Sequence, residues 1–272
     1  MLAASRAALS EAQDRLDAHL DQVPPAELTE LADELLAVVD LLDGQPALRR
    51  LLTDPGADPD ARLGLFDRLF GGKLSEGVLA QARPLIGARW SRSGDLPDTL
   101  ELLAFQADLA VAEQAGELDE VQDELFRFSR IMAGQPDLQR LLADRAAPAD
   151  GRVELLDRLV EGKVHPATLR LLSRTVRAPR GLSLENALER LVELAAQRRE
   201  RYVAYVRTPV GLTERQQSRL AAALSRIYRR SIDVVVEIDP ELLGGLVVRV
   251  NDEVIDGSVA HQLAAARRLL AG

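Results

Sequence analysis

Through residues 1–200 apolar side chains return at three- and four-residue steps, as in Leu31, Leu35, Val38, Val39 and Leu42, and again in Val121, Leu125, Phe128, Ile131 and Met132. That spacing gathers them on one side of a helix, so each run predicts an amphipathic helix that buries one face. Breakers cut the region into short helices. Gly44 and Gly134 are expected to close one helix in the left-handed conformation, Pro46 and Pro136 suit the first turn of the next, and Gly72 and Gly162 repeat the stop. From Pro97 to Gly116 no breaker intervenes, which predicts one continuous helix.

The same landmarks occur twice. Asp33-Glu34-Leu35 through Gly44-Gln45-Pro46 and Leu51-Leu52 returns 90 residues later as Asp123-Glu124-Leu125 through Gly134-Gln135-Pro136 and Leu141-Leu142. Leu65, Asp67, Arg68, Leu69, Gly72 and Lys73 reappear as Leu155, Asp157, Arg158, Leu159, Gly162 and Lys163. Leu96, Leu100 and Leu103 follow as Leu184, Leu188 and Leu191 after a two-residue slip. A fixed period marks a duplicated structural unit. Two tandem bundles of five or six helices are expected, over 1–103 and 104–200, with the unbroken helix running from one into the other.

After Arg201 the period changes. Tyr202–Val206, Ile232–Ile238 and Leu246–Val250 are rich in β-branched residues, alternate in part and are bounded by Pro, Gly, Asn or Asp, so they predict strands. A helix opened by Thr213, with Leu220, Leu224, Ile227 and Tyr228, lies between the first two, and Ser258 can cap a last one bearing Val259, Leu263, Leu269 and Leu270. The fold class is mainly α: two helical bundles and a small α+β domain over 201–272, in the order β-α-β-β-α.

Composition narrows the function. A net charge of -9 and an aromatic content of 3% argue against nucleic acid, which is held by cations and by stacking on rings, and against an anionic lipid surface. Cysteine is absent, so disulfides, thiolate nucleophiles and Cys-ligated zinc are excluded. The start has no signal-peptide pattern, and no run approaches the ~20 apolar residues that span a bilayer, so membrane association is expected only through partners.

No catalytic, metal or cofactor constellation emerges. His19, His165 and His261 lie far apart, and exposed or capping roles suit them. In the grouping Asp256, Ser258 and His261 the serine is better explained as an N-cap than as a nucleophile. Gly71-Gly72-Lys73 lacks the first Gly and the Ser or Thr of a phosphate loop and is matched by Glu161-Gly162-Lys163, which marks a helix stop. Asn251 to Asp256 has Ile255 where calcium needs an oxygen ligand, so a polar hairpin is expected. Arg215, Arg219, Arg226 and Arg230 fall on roughly one side of their helix, either a solvated face or a docking face for an acidic helix.

Ile232, Val234, Ile238, Asp239, Leu242, Gly244, Gly245, Leu246, Val248, Arg249, Asn251 and Val254-Ile255-Asp256-Gly257-Ser258 together resemble the signature of the ATP synthase delta subunit family, called the oligomycin-sensitivity-conferring protein in mitochondria. The resemblance runs from about Phe105 to the C-terminus, and the extra helical copy before it is similar to the long actinobacterial versions. Asp239, Gly244, Gly245, Arg249, Asp256, Gly257 and Ser258 also have a plain physical reading, as turn and strand-entry residues that hold the fold.

The resemblance implies a non-catalytic stator subunit without a cofactor, part of a hetero-oligomer held peripherally at the cytoplasmic face of the plasma membrane. Its helical domain would receive the amphipathic N-terminal helix of an alpha subunit in a groove between its first and fifth helices. In the second copy Phe105, Leu109, Leu169, Leu172 and Val176 have suitable spacing to line that groove or the core beneath it, and Leu9, Leu16, Leu79, Leu85 and Ile86 occupy comparable places in the first. The α+β domain would meet the b-type stalk subunits, with the arginine face against their acidic helices. The competing reading is a helical adaptor or scaffold with an unrelated partner.

Overall fold

The structure, a computed structural model, describes residues 1–20, 23–200, 203–228, 232–250 and 253–258, without the side chains of Glu200, Tyr228 and Asp233. It divides into two compact units, Met1–Ala195 and Ala196–Gly272.

The first unit begins with α1 (Ala3–Leu20), α2 (Pro25–Gly44), α3 (Pro46–Leu52), α4 (Pro59–Phe70), α5 (Glu76–Gly87) and α6 (Asp95–Gln114). It continues with α7 (Leu118–Gly134), α8 (Pro136–Ala143), α9 (Ala149–Val160), α10 (Pro166–Arg177) and α11 (Leu184–Glu200), the last of which begins in this unit and ends past Ala195. Each copy of the repeat is six helices long, α1 to α6 and then α6 to α11, and the sharing of α6 realises the continuous helix expected from Pro97 onward.

Two faces of α6 explain how one helix serves both copies. Leu96, Leu100, Leu103, Ala104, Ala107 and Ala110 enter the first core with Leu16, Leu35, Val39 and Phe66. Leu109 and Ala112, flanked by Leu102 and Phe105, enter the second with Leu125, Leu156, Leu171 and Leu188. A helix apolar on both sides has no stable solvated state and fixes the copies to each other. The boundary expected between residues 103 and 104 therefore lies inside α6, and both copies belong to one compact unit.

Gly72 and Gly162 adopt φ of 73° and 67° and stop their helices as expected. Gly44 and Gly134 do not take the left-handed conformation; they are the last residues of α2 and α7. Pro46 and Pro136 explain the difference, because a proline ring drives the residue before it out of the helical region. Gln45 and Gln135, at φ of -128° and -129°, make the break.

The duplication also preserves polar anchors that the apolar pattern does not reveal. Glu34 accepts hydrogen bonds from the backbone and side chain of Ser75 at 2.8 and 2.7 Å, holding the start of α5. Its equivalent Glu124 accepts from the backbone of His165 at 2.9 Å and the hydroxyl of Thr168 at 2.5 Å, holding the start of α10. At the other end of α5, Arg62 donates to the carbonyls of Ala88 and Gly87 at 2.9 and 3.1 Å. Arg152 does the same for Val176 and Arg177 at 2.5 and 3.2 Å. A cation at orphan C-terminal carbonyls and an anion at orphan N–H groups suit the helix dipole at both ends.

In the second unit β1 (Val203–Thr208), α12 (Glu214–Tyr228), β2 (Asp233–Ile238), β3 (Val247–Val250) and β4 (Glu253–Asp256) form a four-stranded sheet in the order β2-β1-β3-β4. β1 and β2 are parallel, with α12 between them in the chain, whereas β3 is antiparallel to β1 and β4. Ala204, Val206, Leu224, Ile232, Val248 and Val250 make its core. The hairpin expected near Asn251 brings in β4 as a strand beyond the three predicted. Thr213 and Gln216 cap α12 reciprocally, the Gln216 amide N–H reaching the threonine hydroxyl at 3.3 Å and the Thr213 N–H reaching the glutamine side chain at 2.9 Å. Ile227, expected among the apolar residues of α12, is exposed. The helix predicted after Ser258, with His261, lies outside the described residues, as do Tyr202, Arg230 and Asn251.

Candidate docking surfaces

Of the five side chains expected to line a groove in the second copy, Leu109, Leu172 and Val176 are completely buried, and Phe105 and Leu169 sit half-buried at the edge of the same core. The first copy behaves alike, with Leu16, Leu79, Leu85 and Ile86 buried and Leu9 partly so. These residues join the first and fifth helices of each bundle from the inside. The outer surface of the seam is made by other residues.

In the second copy that outer surface is a row of arginines between two lines of carboxylates. Arg170 on α10 reaches Asp108 of α6 and Asp33 of α2, both at 2.7 Å. One turn further Arg174 reaches Glu101 of α6 at 3.1 Å and Asp40 of α2 at 2.6 Å. Beyond the end of α10, Arg180 contacts Asp98 of α6 at 2.8 Å, Glu101 at 3.4 Å, and Asp43 of α2. Asp33 thus stands opposite Asp108, Asp40 opposite Glu101 and Asp43 opposite Asp98, as antiparallel α2 and α6 require. Sequence reading missed the row, although Asp33, Asp40 and Asp43 fall on one helical side, as do Asp98, Glu101 and Asp108.

The row is partly desolvated, Arg174 being 5% and Asp108 3% exposed at the side chain. Burial pushes the Asp108 carboxyl up from its ordinary range to about 6, against the opposing pull of Arg170. Glu101 is also raised by burial, opposed by Arg174 and Arg180. For Arg170 burial works against the charge, but the hydrogen bonds to Asp33 and Asp108 outweigh it and hold the pKa above its usual value. Arg180 reaches its partners from a left-handed backbone, φ 49°, next to Gly181 at φ 82°.

In the second unit Arg215, Arg219 and Arg226 are exposed along α12, while Leu224 is buried and Leu220 packs at the core's edge. The signature residues have structural work. Asp239 accepts from the Glu241 N–H at 3.0 Å and meets Arg207 at 3.3 Å. Arg249 lies over the Tyr205 ring, 5.1 Å from its centroid. The Asp256 side chain accepts from the Ser258 N–H at 2.9 Å, and the Gly257 N–H reaches the carbonyl of Leu246 at 3.0 Å. Gly244 and Gly245 adopt φ of 140° and 81° where the chain enters β3.

His165 caps α10, its Nδ1 accepting from the Ala167 N–H at 3.1 Å and its Nε2 lying 2.7 Å from Glu117. Among the described residues no group of His, Asp and Glu has the arrangement of a metal site.

Relatives are similar to this chain along their whole length. The family model for the ATP synthase delta (OSCP) subunit matches residues 106–270. The ATP synthase subunit delta of Parafrankia sp. (strain EAN1pec) is 47% identical, with 98% of this chain and 99% of that protein covered. Those of Streptomyces griseus and Thermobifida fusca are 45% and 46% identical, each covered completely along with this chain. The first helical copy, which lies ahead of the family model's match, is thus part of the relatives too. The chain belongs to the ATP synthase delta (OSCP) subunit family, in its long form with a duplicated helical domain.

Proposed function

We propose that this chain is a non-catalytic stator subunit of an F-type ATP synthase, tying alpha subunits of the catalytic head to the b-type stalk subunits so that the head cannot follow the rotor. The observation that carries this reading is the full-length similarity to ATP synthase delta subunits, through both helical copies and the α+β unit. The partner-helix sites are the seams between the first and fifth helices of each copy, α1 with α5 and α6 with α10. The exposed Arg215, Arg219 and Arg226 supply a cationic face for an acidic stalk helix.

A torque joint needs stiffness and slow release more than chemistry. Each unit charge that crosses 100 mV brings about 2.3 kcal/mol, so a joint that slips dissipates the work. Two bundles built on one helix resist bending, and several linked contacts raise effective concentration enough to make complete detachment rare. No helix among the described residues is long and apolar enough to cross a membrane. Membership of the delta-subunit family supports a peripheral position through the complex, which this reading puts on the cytoplasmic face of the membrane.

Affinity capture of the tagged chain from the native membrane fraction tests the proposal, with alpha and b-type subunits expected among the retained proteins. Stripping the chain from the complex should abolish gradient-driven ATP synthesis while ATP hydrolysis by the head survives, and adding it back should restore synthesis. Undiminished synthesis in the stripped complex would overturn the reading.

A further inference from the structure

The arginine row does more than neutralise charge. Arg170, Arg174 and Arg180 belong to the fifth helix of the second copy and the turn after it; Asp98, Glu101 and Asp108 belong to α6, that copy's first helix. The outer surface of the second copy's seam is therefore where these six residues meet, and Asp33, Asp40 and Asp43 of α2 meet them there. Arg174 and Arg180 are only 5% and 9% exposed, whereas Arg170 stays 32% exposed, so a helix of the same chain covers this surface around Arg174 and Arg180 and less fully at Arg170.

We propose that α2 of the first copy occupies the α6–α10 seam of the second in cis, so that of the two seams only α1–α5 is open to a partner helix. The inference deepens the stator reading and rests on its assignment of partner helices to these seams.

Comparison of the two copies within the chain supports the asymmetry. Arg170, Arg174 and Arg180 correspond to Ala80, Pro84 and Trp90, and Asp98, Glu101 and Asp108 to Ala8, Glu11 and Ala18. Ala80, Pro84, Glu11 and Ala18 are exposed. The first copy's seam has thus kept one of the six charges, and its α5 has no cation at the places where α10 holds α2. Docking of the copies is head to tail: the back of one meets the seam of the other, which leaves one seam free at the end of the pair, as any heterologous contact does.

Two measurements on the full chain test this. In the first, hydrogen exchange is followed with a synthetic peptide of the N-terminal helix of the cognate alpha subunit; protection is expected in α1 and α5 and not in α10, and protection of α10 in the unmodified chain would overturn the closure. In Asp33→Arg/Asp40→Arg, where both altered side chains are largely exposed, α2 repels Arg170 and Arg174, and a second footprint on α10 should appear. The second measurement needs no peptide. Asp40→Arg should lower the melting midpoint by roughly 4–8 °C, and adding Arg174→Glu should recover at least half of the loss. If the double variant melts no higher than Asp40→Arg, α2 and α10 are not coupled and the closure is wrong. A peptide that protects neither α5 nor α10 counts against the partner-helix reading, and the charge swap then decides the closure alone.

Discussion

Gly245 sits so close to Gly257 that a Cβ on it would come within 2.4 Å of the Gly257 carbonyl oxygen and 2.9 Å of the Ser258 Cα. Both atoms are backbone and cannot swing aside. Gly245 also has φ of 81°, which disfavours any side chain by about 1–2 kcal/mol before the overlap is counted. Gly245→Ala should destabilise the α+β unit by roughly 2–4 kcal/mol, read as faster hydrogen exchange in β3 and β1 with the exchange of α2 and α6 unchanged. Unaltered β3 exchange would show that the close approach is not a constraint.

Glu124 and Glu34 allow the repeat to be tested energetically. Glu124→Ala leaves the His165 N–H and the Thr168 hydroxyl without their carboxylate, a loss of about 2–4 kcal/mol for buried donors facing a charged acceptor. Glu34→Ala removes the acceptor of both Ser75 hydrogen bonds and should cost a comparable amount. Since the two carboxylates hold different helices, the double variant should lose nearly the sum in denaturant unfolding.

Asp108 sets a pH dependence whose sign follows from burial. Its carboxyl moves from 3.8 in the unfolded chain to about 6 in the folded one, so between those values the folded chain holds a proton that the unfolded chain has released. Stability therefore falls as pH rises through this window, by roughly 3 kcal/mol from this group, and the whole cost is present above pH about 6. The groups facing it are Arg170 of α10 and, through that arginine, Asp33 of α2. Asp108→Asn should flatten the midpoint-against-pH curve between about 4 and 6 and should melt no lower than the unmodified chain at pH 8. A steep, unchanged curve in that variant would assign the dependence to other groups.

Arg215, Arg219 and Arg226 make a separable prediction for the stalk. Because they are exposed, the triple Glu variant should keep its melting midpoint within a degree or so, while affinity for the b-type subunits falls about tenfold or more. The unmodified contact should weaken with added salt as screening shortens the reach of the charges. Equal affinity in the two proteins would reduce the face to a solvated one.

Much of the architecture could be read before the structure. The pairs Pro46 and Pro136, and Gly72 and Gly162, announced the duplicated helix breaks, because a ring that locks φ and a residue that tolerates positive φ act locally. The strands near Val203, Val234 and Val247 and the signature around Gly244 to Ser258 were legible for the same reason, and with them the family. Gly44 was misread as a left-handed stop, because two local rules competed and the one belonging to Pro46 prevailed.

Tertiary structure alone decided what each apolar or charged face meets. A helical period places Leu109, Leu172 and Val176 on an inward side without telling groove from core, and burial shows them to be core. Asp33, Asp40 and Arg174 look like ordinary surface charges in the chain, since their partners lie at sequence separations of up to 137 residues. The sequence by itself determined the helices, their duplication and the family, through interactions that span a few residues. Which seam stays open is a matter of how α2, α6 and α10 pack, and packing is set by contacts between distant segments that no local pattern encodes.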